Sequence, residues 1–288
     1  MTQRSVSLPS GVRTSVIDAG RGPAVLLLHG NPDNADEWQG VIEALAAEHR
    51  CVAPDLPGYG ARDRICALPG SFDYSVGAQV RFVDELLAAL ELDAVTLVVH
   101  DIGGIMGVPW AAANLGRLRG VVYTNTVAFP DFPWFRLARQ WGSARPLDRL
   151  RSRLMMAAVG LGGGAAFRRA FGRQNPQLSP AALARFARDF AVNRVAKATT
   201  LRQFRVITQP RFFAGYDEML RAIAAATPTC AVWGEGDPYV PDARAVELLA
   251  ATTVRLPGVG HWVPLLAADA VAAQVRLVSA SARPQPRA

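Results

Sequence analysis

Residues 94–104, AVTLVVHDIGG, decide the reading of this chain. The first six are apolar or β-branched, without the polar alternation of a sheet wetted on one face, so they read as a strand covered on both sides. The two glycines after Asp101 open a helical pattern over 104–118 that tolerates Pro109. A covered strand turning sharply into a helix presents functional groups at its carboxyl end. Here the group is a carboxylate.

The same unit repeats outward from this point. Residues 23–30 (PAVLLLHG) precede helical spacing over 37–48, and 50–54 (RCVAP) are closed by the turn-rich 55–60 before an amphipathic helix over 78–90. A fourth strand is predicted at 120–126 (GVVYTNT). The alternation then stops: 128–225 holds helical patterns such as 180–193 and a small-residue break at 160–166. It resumes at 229–233 (TCAVW) and 252–256 (TTVRL), with a last helix near 267–278. The predicted fold class is α/β, a mostly parallel sheet with helices on both faces. Its core would comprise residues 1–127 and 226–288, with a helical cap insertion over 128–225.

Half of the 288 residues are hydrophobic and 19% are charged, which excludes disorder as the main character. Net charge is +7, and Lys197 is the sole lysine among 31 basic residues. The charge is uneven: the cap segment carries +12 and the remainder −5. A basic chain raises nucleic acid or a membrane surface as partner. No basic stripe interleaved with aromatics and no nucleic-acid module is present, and no apolar run reaches the roughly 20 residues of a membrane span. Neither nucleic acid nor membrane is therefore expected as a partner. Cys51, Cys66 and Cys230 lack metal-ligand spacing, and an odd, sparse set fits reduced thiols of a cytoplasmic protein. Residues 1–20 lack the apolar core of a secretory signal, and the tail 281–288 reads as frayed. No metal and no other cofactor is expected.

The turns after the covered strands carry the chemistry. They read His29-Gly30-Asn31-Pro32, His100-Asp101-Ile102-Gly103-Gly104, Gly234-Glu235-Gly236-Asp237-Pro238 and Gly258-Val259-Gly260-His261-Trp262. Nucleophile, acid and histidine thus follow in the order of a nucleophile-elbow enzyme, with Asp101 where Ser or Cys would usually stand. Taken singly, Asp101 could be a helix cap, Asp237 an Asx-turn residue and His261 a buried structural histidine. Their shared placement at strand ends favours catalysis. His29 and His100 read as hydrogen-bonders bracing the reactive turns, and His49 as exposed.

Over about residues 13–280 the sequence resembles the α/β-hydrolases. Its H-D-x-G and H-G-x-P strings resemble the aspartate-nucleophile branch, the epoxide hydrolases and haloalkane dehalogenases. The resemblance implies that Asp101 attacks carbon to form an alkyl ester. His261, oriented by Asp237, would activate the water that hydrolyses it. The backbone N–H groups of Asn31 and Ile102 would form the oxyanion hole. Some relatives carry the acid after the next strand; here that residue is Asn125, an amide, so Asp237 is expected to serve.

Haloalkane dehalogenases place a Trp after the nucleophile and often an Asn in the H-G-N-P turn; this chain has Asn31 but Ile102. Epoxide hydrolases use cap tyrosines, usually a pair; this cap has Tyr216, with Trp134 and Trp141 expected to line an apolar pocket. The expected activity is epoxide opening to a diol, with haloalkane dehalogenation as the alternative. A non-catalytic ligand-binding protein of the same fold is disfavoured because Asp101, Asp237 and His261 are all present. The expected partners are a small apolar or aromatic substrate and water, and a homodimer is compatible with the chain.

Overall fold

The computed structural model describes residues 2–127, 132–240 and 252–281. An eight-stranded sheet forms from β1 (Thr2–Ser7), β2 (Arg13–Ala19), β3 (Ala24–Leu28), β4 (Arg50–Pro54), β5 (Val95–Asp101), β6 (Leu118–Thr126), β7 (Thr229–Gly234) and β8 (Thr252–Leu256), in the order β1-β2-β4-β3-β5-β6-β7-β8. From β4 to β8 neighbouring strands run parallel. β1 and β2 pair antiparallel, and β2 lies antiparallel to β4. These two edge strands escape a reading based on apolar runs: β1 exposes every residue but Val6, and β2 interrupts its apolar residues with Ser15 and Asp18.

The absence of alternation in the central strands has a direct cause. Leu26 and Leu28 of β3, Leu97 and Val99 of β5 and Val121 of β6 join one apolar cluster, while Val25, Leu27, Val98 and Val122 join another on the opposite face. Both sides of the pleat are buried, so both sets of alternate residues must be apolar.

Helix α1 (Gln39–Leu45) lies between β3 and β4, α2 (Val76–Ala89) between β4 and β5, and α3 (Gly103–Ala113) after β5. Ser75 caps α2 by accepting from the Ala78 N–H. Between β6 and β7 the described chain runs through α4 (Arg136–Gly142), α5 (Pro146–Ala158), α6 (Leu161–Gln174), α7 (Pro180–Phe186), α8 (Arg194–Ile207) and α9 (Tyr216–Ala226). The break read at 160–166 is a left-handed passage at Gly162, Gly163 and Gly164, with φ of 58°, 64° and 81°. Residues 128–131, where the cap segment was expected to begin, and most of the tail lie outside the described residues.

The helices between β6 and β7 are fastened to the strand-end turns by charge. Arg185 of α7 makes a two-pronged ion pair with buried Asp33, beyond the β3 turn. Asp189 accepts from Asn34 and from the Arg62 N–H. One expectation is corrected: His49 is buried, because the turn through Gly20 and Gly22 packs directly on the backbone of residues 46–49.

Candidate active site

Asp101 ends β5 with φ 46°, a left-handed conformation that a non-glycine residue adopts at a cost of roughly 1–3 kcal/mol. The turn closes because its neighbours are small. A Cβ on Gly103 would fall 2.3 Å from the Leu28 carbonyl oxygen, and one on Gly30 would fall 2.8 Å from the Asp101 Cβ. The Asp101 carbonyl accepts from the Thr126 hydroxyl (2.7 Å) and the Val127 N–H (3.1 Å). The carboxylate is thereby held out from the strand end. Its Oδ1 accepts from the Asn31 N–H at 2.8 Å, and its Oδ2 lies 3.7 Å from His261 Nε2. Ile102, buried, opens α3 directly after it.

His261 Nδ1 lies 2.7 Å from Asp237 Oδ2. A carboxylate can only accept, so Nδ1 carries a proton and donates it to Asp237, leaving Nε2 on the side of Asp101. Asp237 also accepts from the Tyr239 and Val240 N–H groups through Oδ1. Burial alone would raise its carboxyl, but the charge and hydrogen bond of His261, the Tyr239 N–H and Asn125 hold it below the ordinary carboxylate range. The structure therefore brings Asp101, His261, Asp237 and Asn31 together.

Asn125 is the residue that sequence reasoning set aside. β5 and β6 slip register at this point: His100 pairs with Thr124 and Asp101 with Thr126, leaving Asn125 as a bulge residue at φ 32°. The bulge aims its side chain at β7. Its Nδ2 donates to Asp237 Oδ2 (2.7 Å) and the Gly234 carbonyl (3.1 Å), and its Oδ1 accepts from the Gly234 N–H (2.8 Å). The amide thus orients the acid. Asn125→Ala is expected to cost about 1–3 kcal/mol by stranding these buried groups, measured by denaturant unfolding, and to lower kcat.

A second buried network braces the turns beneath. His29 Nδ1 donates to the Gly30 carbonyl and Nε2 accepts from the Leu56 N–H, so the ring is neutral. His100 faces acceptors on both sides, Glu37 Oε1 at 2.6 Å and the His261 carbonyl at 2.9 Å, which requires a doubly protonated ring. Glu37 also accepts from the Gly30 N–H. Nothing in the helical spacing of 37–48 marked Glu37 as a buried charge. Burial opposes a charged His100, but Glu37 outweighs it and raises the ring to about 9. This folded value lies above the unfolded value of about 6.5. The stability it contributes is therefore complete below that pH and is lost as pH rises through 9. The melting temperature is expected to fall between neutral pH and about 9.5, with a shallower fall in Glu37→Gln; equal slopes by calorimetry would refute the pairing.

The aromatic residues expected around the substrate are placed differently from one another. Trp134 packs edge-on to Phe132 and Phe204 (4.6 and 5.6 Å) and Trp141 to Phe204 (5.0 Å). Phe135 links Trp141 to Tyr239, whose ring stands 5.2 Å from His261. Tyr216 is not brought to Asp101. Its hydroxyl donates to the Ile105 carbonyl at 2.6 Å. That carbonyl would normally accept from the residue four positions on, which is Pro109 and has no N–H. Tyr216 thus supplies the hydrogen bond that Pro109 cannot make.

Two other tyrosines feel the charge of Asp101. Tyr59 donates to Gln203 (2.8 Å) and lies beside Thr200, which in turn donates to Asn31 Oδ1 (3.0 Å). Tyr239 donates to Gln174 (3.0 Å) and accepts from Asn175 (2.9 Å). Burial raises both phenols, Tyr239 to about 12, and the negative charge of Asp101 adds to each shift. Sequence reasoning confined to the cap could not find them, because both reside on turns of the sheet domain. Among the described residues no cluster of three His, Cys, Asp or Glu could hold a metal ion, and no helix is long and apolar enough to cross a membrane. The three cysteines are buried and unpaired.

Comparison with known proteins fits this arrangement. Residues 23–268 match the family model of the alpha/beta hydrolase fold, and the chain belongs to that family. It is 29% identical to haloalkane dehalogenase 2 of Mycobacterium bovis, over 91% of this chain and 90% of that one. It is 39% identical to a haloalkane dehalogenase of Mycolicibacterium smegmatis over 43% of this chain and 41% of that one. It is 33% identical to a cis-3-alkyl-4-alkyloxetan-2-one decarboxylase of Xanthomonas campestris over 49% and 51%. These last two matches span about half or less of the relatives' length. Among solved structures, the epoxide hydrolase CorEH superposes with a TM-score of 0.75 at 20% identity, covering 97% of this chain and 99% of that one. The chain thus has the alpha/beta hydrolase fold, its sequence relatives include haloalkane dehalogenases, and it shares that fold with the epoxide hydrolase CorEH.

Proposed function

We propose that this protein hydrolyses a small apolar or aromatic epoxide to a diol through an alkyl ester on Asp101. The observation that carries the reading is the Asp101 carboxylate held by the Asn31 N–H with His261 Nε2 3.7 Å from its other oxygen. Asp101 Oδ2 attacks an epoxide carbon and the C–O bond breaks, leaving an alkoxide that takes a proton from a neutral phenol. Tyr59 and Tyr239 replace Tyr216 as the phenols for this step. His261 Nε2 then removes a proton from water, which attacks the ester carbonyl carbon. The resulting oxyanion, on Oδ1, rests on the N–H groups of Asn31 and Ile102, a contribution of roughly 2.7–4 kcal/mol per donor in comparable sites. The ester bond breaks and the proton passes from His261 to the departing alkoxide, while the proton left on the new Asp101 carboxyl returns to the phenolate, so that Asp101 and the phenol are both regenerated. Residues 128–225 act as the cap, and Trp134 and Trp141 belong to its aromatic lining.

Haloalkane dehalogenation is the second reading, favoured by the full-length similarity to haloalkane dehalogenase 2. It is weakened by Ile102, which offers no side-chain donor to a departing halide where an indole would serve. Purified protein is to be assayed against aryl and alkyl epoxides, bromoalkanes and alkyl-substituted oxetanones. Diol formation at a kcat/KM at least about tenfold above halide release supports the first reading. Halide release without diol establishes the second.

A further inference from the structure

Helix α5 is mounted with its apolar face outward. Leu147, Leu150 and Leu154, spaced three and four residues apart, form one line along it and are 55%, 52% and 61% exposed. The side turned to the protein holds instead Ser152 and Met156, and the Ser152 hydroxyl is absorbed by the Asp148 carbonyl at 2.7 Å. Leu161, at 68%, extends the line onto the start of α6, and Val195 of α8 is 50% exposed nearby in sequence to the same groove. A globular helix ordinarily turns such a stripe to the core. Exposed leucines in a row, unlike single ones, call for a covering surface.

The surroundings of the stripe are cationic. A groove of about 570 Å³ between α5, α6 and α8 is lined by Arg153, Arg194 and Lys197 together with Met156, Leu161 and Leu201. Among the described residues, none of these three cations makes an ion pair, whereas Arg185 and Arg188 do. Arg205, near Arg149 and Arg153, has its Nε buried without a hydrogen-bond partner. Burial and those two arginines lower its affinity for a proton, as burial and Arg194 do for Lys197. Positive charge is thus concentrated around a groove whose lining holds no acidic residue.

We infer that the α5/α6/α8 face of the cap docks on an anionic lipid bilayer, with the leucines entering the headgroup boundary and Arg149, Arg153, Arg194 and Lys197 meeting lipid phosphates. Leucines flanked by arginines on a protruding helix are the pattern of an interfacial helix, and anionic leaflets attract such clusters. A second copy fits poorly: a two-fold contact would set this basic face against itself. Such docking spans nothing, so it is compatible with the lack of a membrane-crossing helix, and it revises the expectation that membrane is no partner.

The test is co-sedimentation of the full-length protein with vesicles of phosphatidylcholine alone or with about one third phosphatidylglycerol. Binding to the anionic vesicles at low salt, roughly tenfold or more above that to phosphatidylcholine and released as salt rises, is expected. Leu150→Glu with Leu154→Glu, and separately Arg153→Glu with Lys197→Glu, should each cut binding about tenfold or more while the circular dichroism spectrum is unchanged. Equal binding to both vesicles, absence of binding, or binding indifferent to both variant pairs would overturn the inference. So would sedimentation velocity showing that the leucine changes dissolve a dimer.

Discussion

His261→Gln protein treated with an epoxide substrate is expected to gain the whole mass of that epoxide on the peptide containing Asp101, while wild-type protein returns to its original mass. The reason lies in the division of labour in the site. On the proposed route, attack by the Asp101 carboxylate on carbon needs no base, and the Asn31 N–H holds its other oxygen. Ester hydrolysis needs a proton taken from water, and on the same proposal His261, whose Nδ1 is fixed by Asp237 and whose Nε2 lies 3.7 Å from Asp101, is the base. Removing the imidazole therefore blocks the second step and leaves the first. With a bromoalkane the gain would be the alkyl group in place of a proton, with bromide released in one equivalent, so the same spectrum reports the leaving group. Unmodified protein after exposure to substrates that the wild type turns over would refute the covalent route.

Asp101→Asn is expected to lower kcat by about 10⁴-fold or more, the scale seen when a nucleophile is removed from a covalent mechanism. Asparagine suits this test. It tolerates the left-handed conformation at φ 46° better than alanine and keeps the shape of the side chain. An unchanged unfolding midpoint would then locate the loss in the chemistry. Turnover within about tenfold of wild type would mean that water attacks substrate directly under His261. The two experiments are complementary, one trapping the intermediate and the other preventing it.

The strand ends were legible because parallel-sheet chemistry is local: an apolar run followed by glycine and a polar residue announces its own turn. Asp101, Asp237 and His261 were singled out in this way, and the fold brings them together. Asn125 lies on a strand rather than at its end, and its role follows from a bulge, which depends on how two strands pair. Glu37 sits in an ordinary helical pattern and becomes a buried charge only because His29, His100 and the Gly30 N–H converge on it. Tyr216 was named for its position in the cap, yet its hydroxyl answers a vacancy left by Pro109 on a helix 111 residues away in sequence.

The sequence by itself determined the α/β alternation, the position of the helical stretch between the fourth and fifth apolar runs, and the placing of Asp101, Asp237 and His261 in turns after strands. Each of these is written in runs of a few residues, where hydrophobic burial and turn sterics act between near neighbours. The tertiary structure decided which polar groups meet: Asn125 with Asp237, Glu37 with His100, Arg185 with Asp33, and the Tyr216 hydroxyl with the Ile105 carbonyl. It also decided that the leucines of α5 face outward. A helical pattern specifies which residues share a face, but the packing of the other helices selects which face is buried.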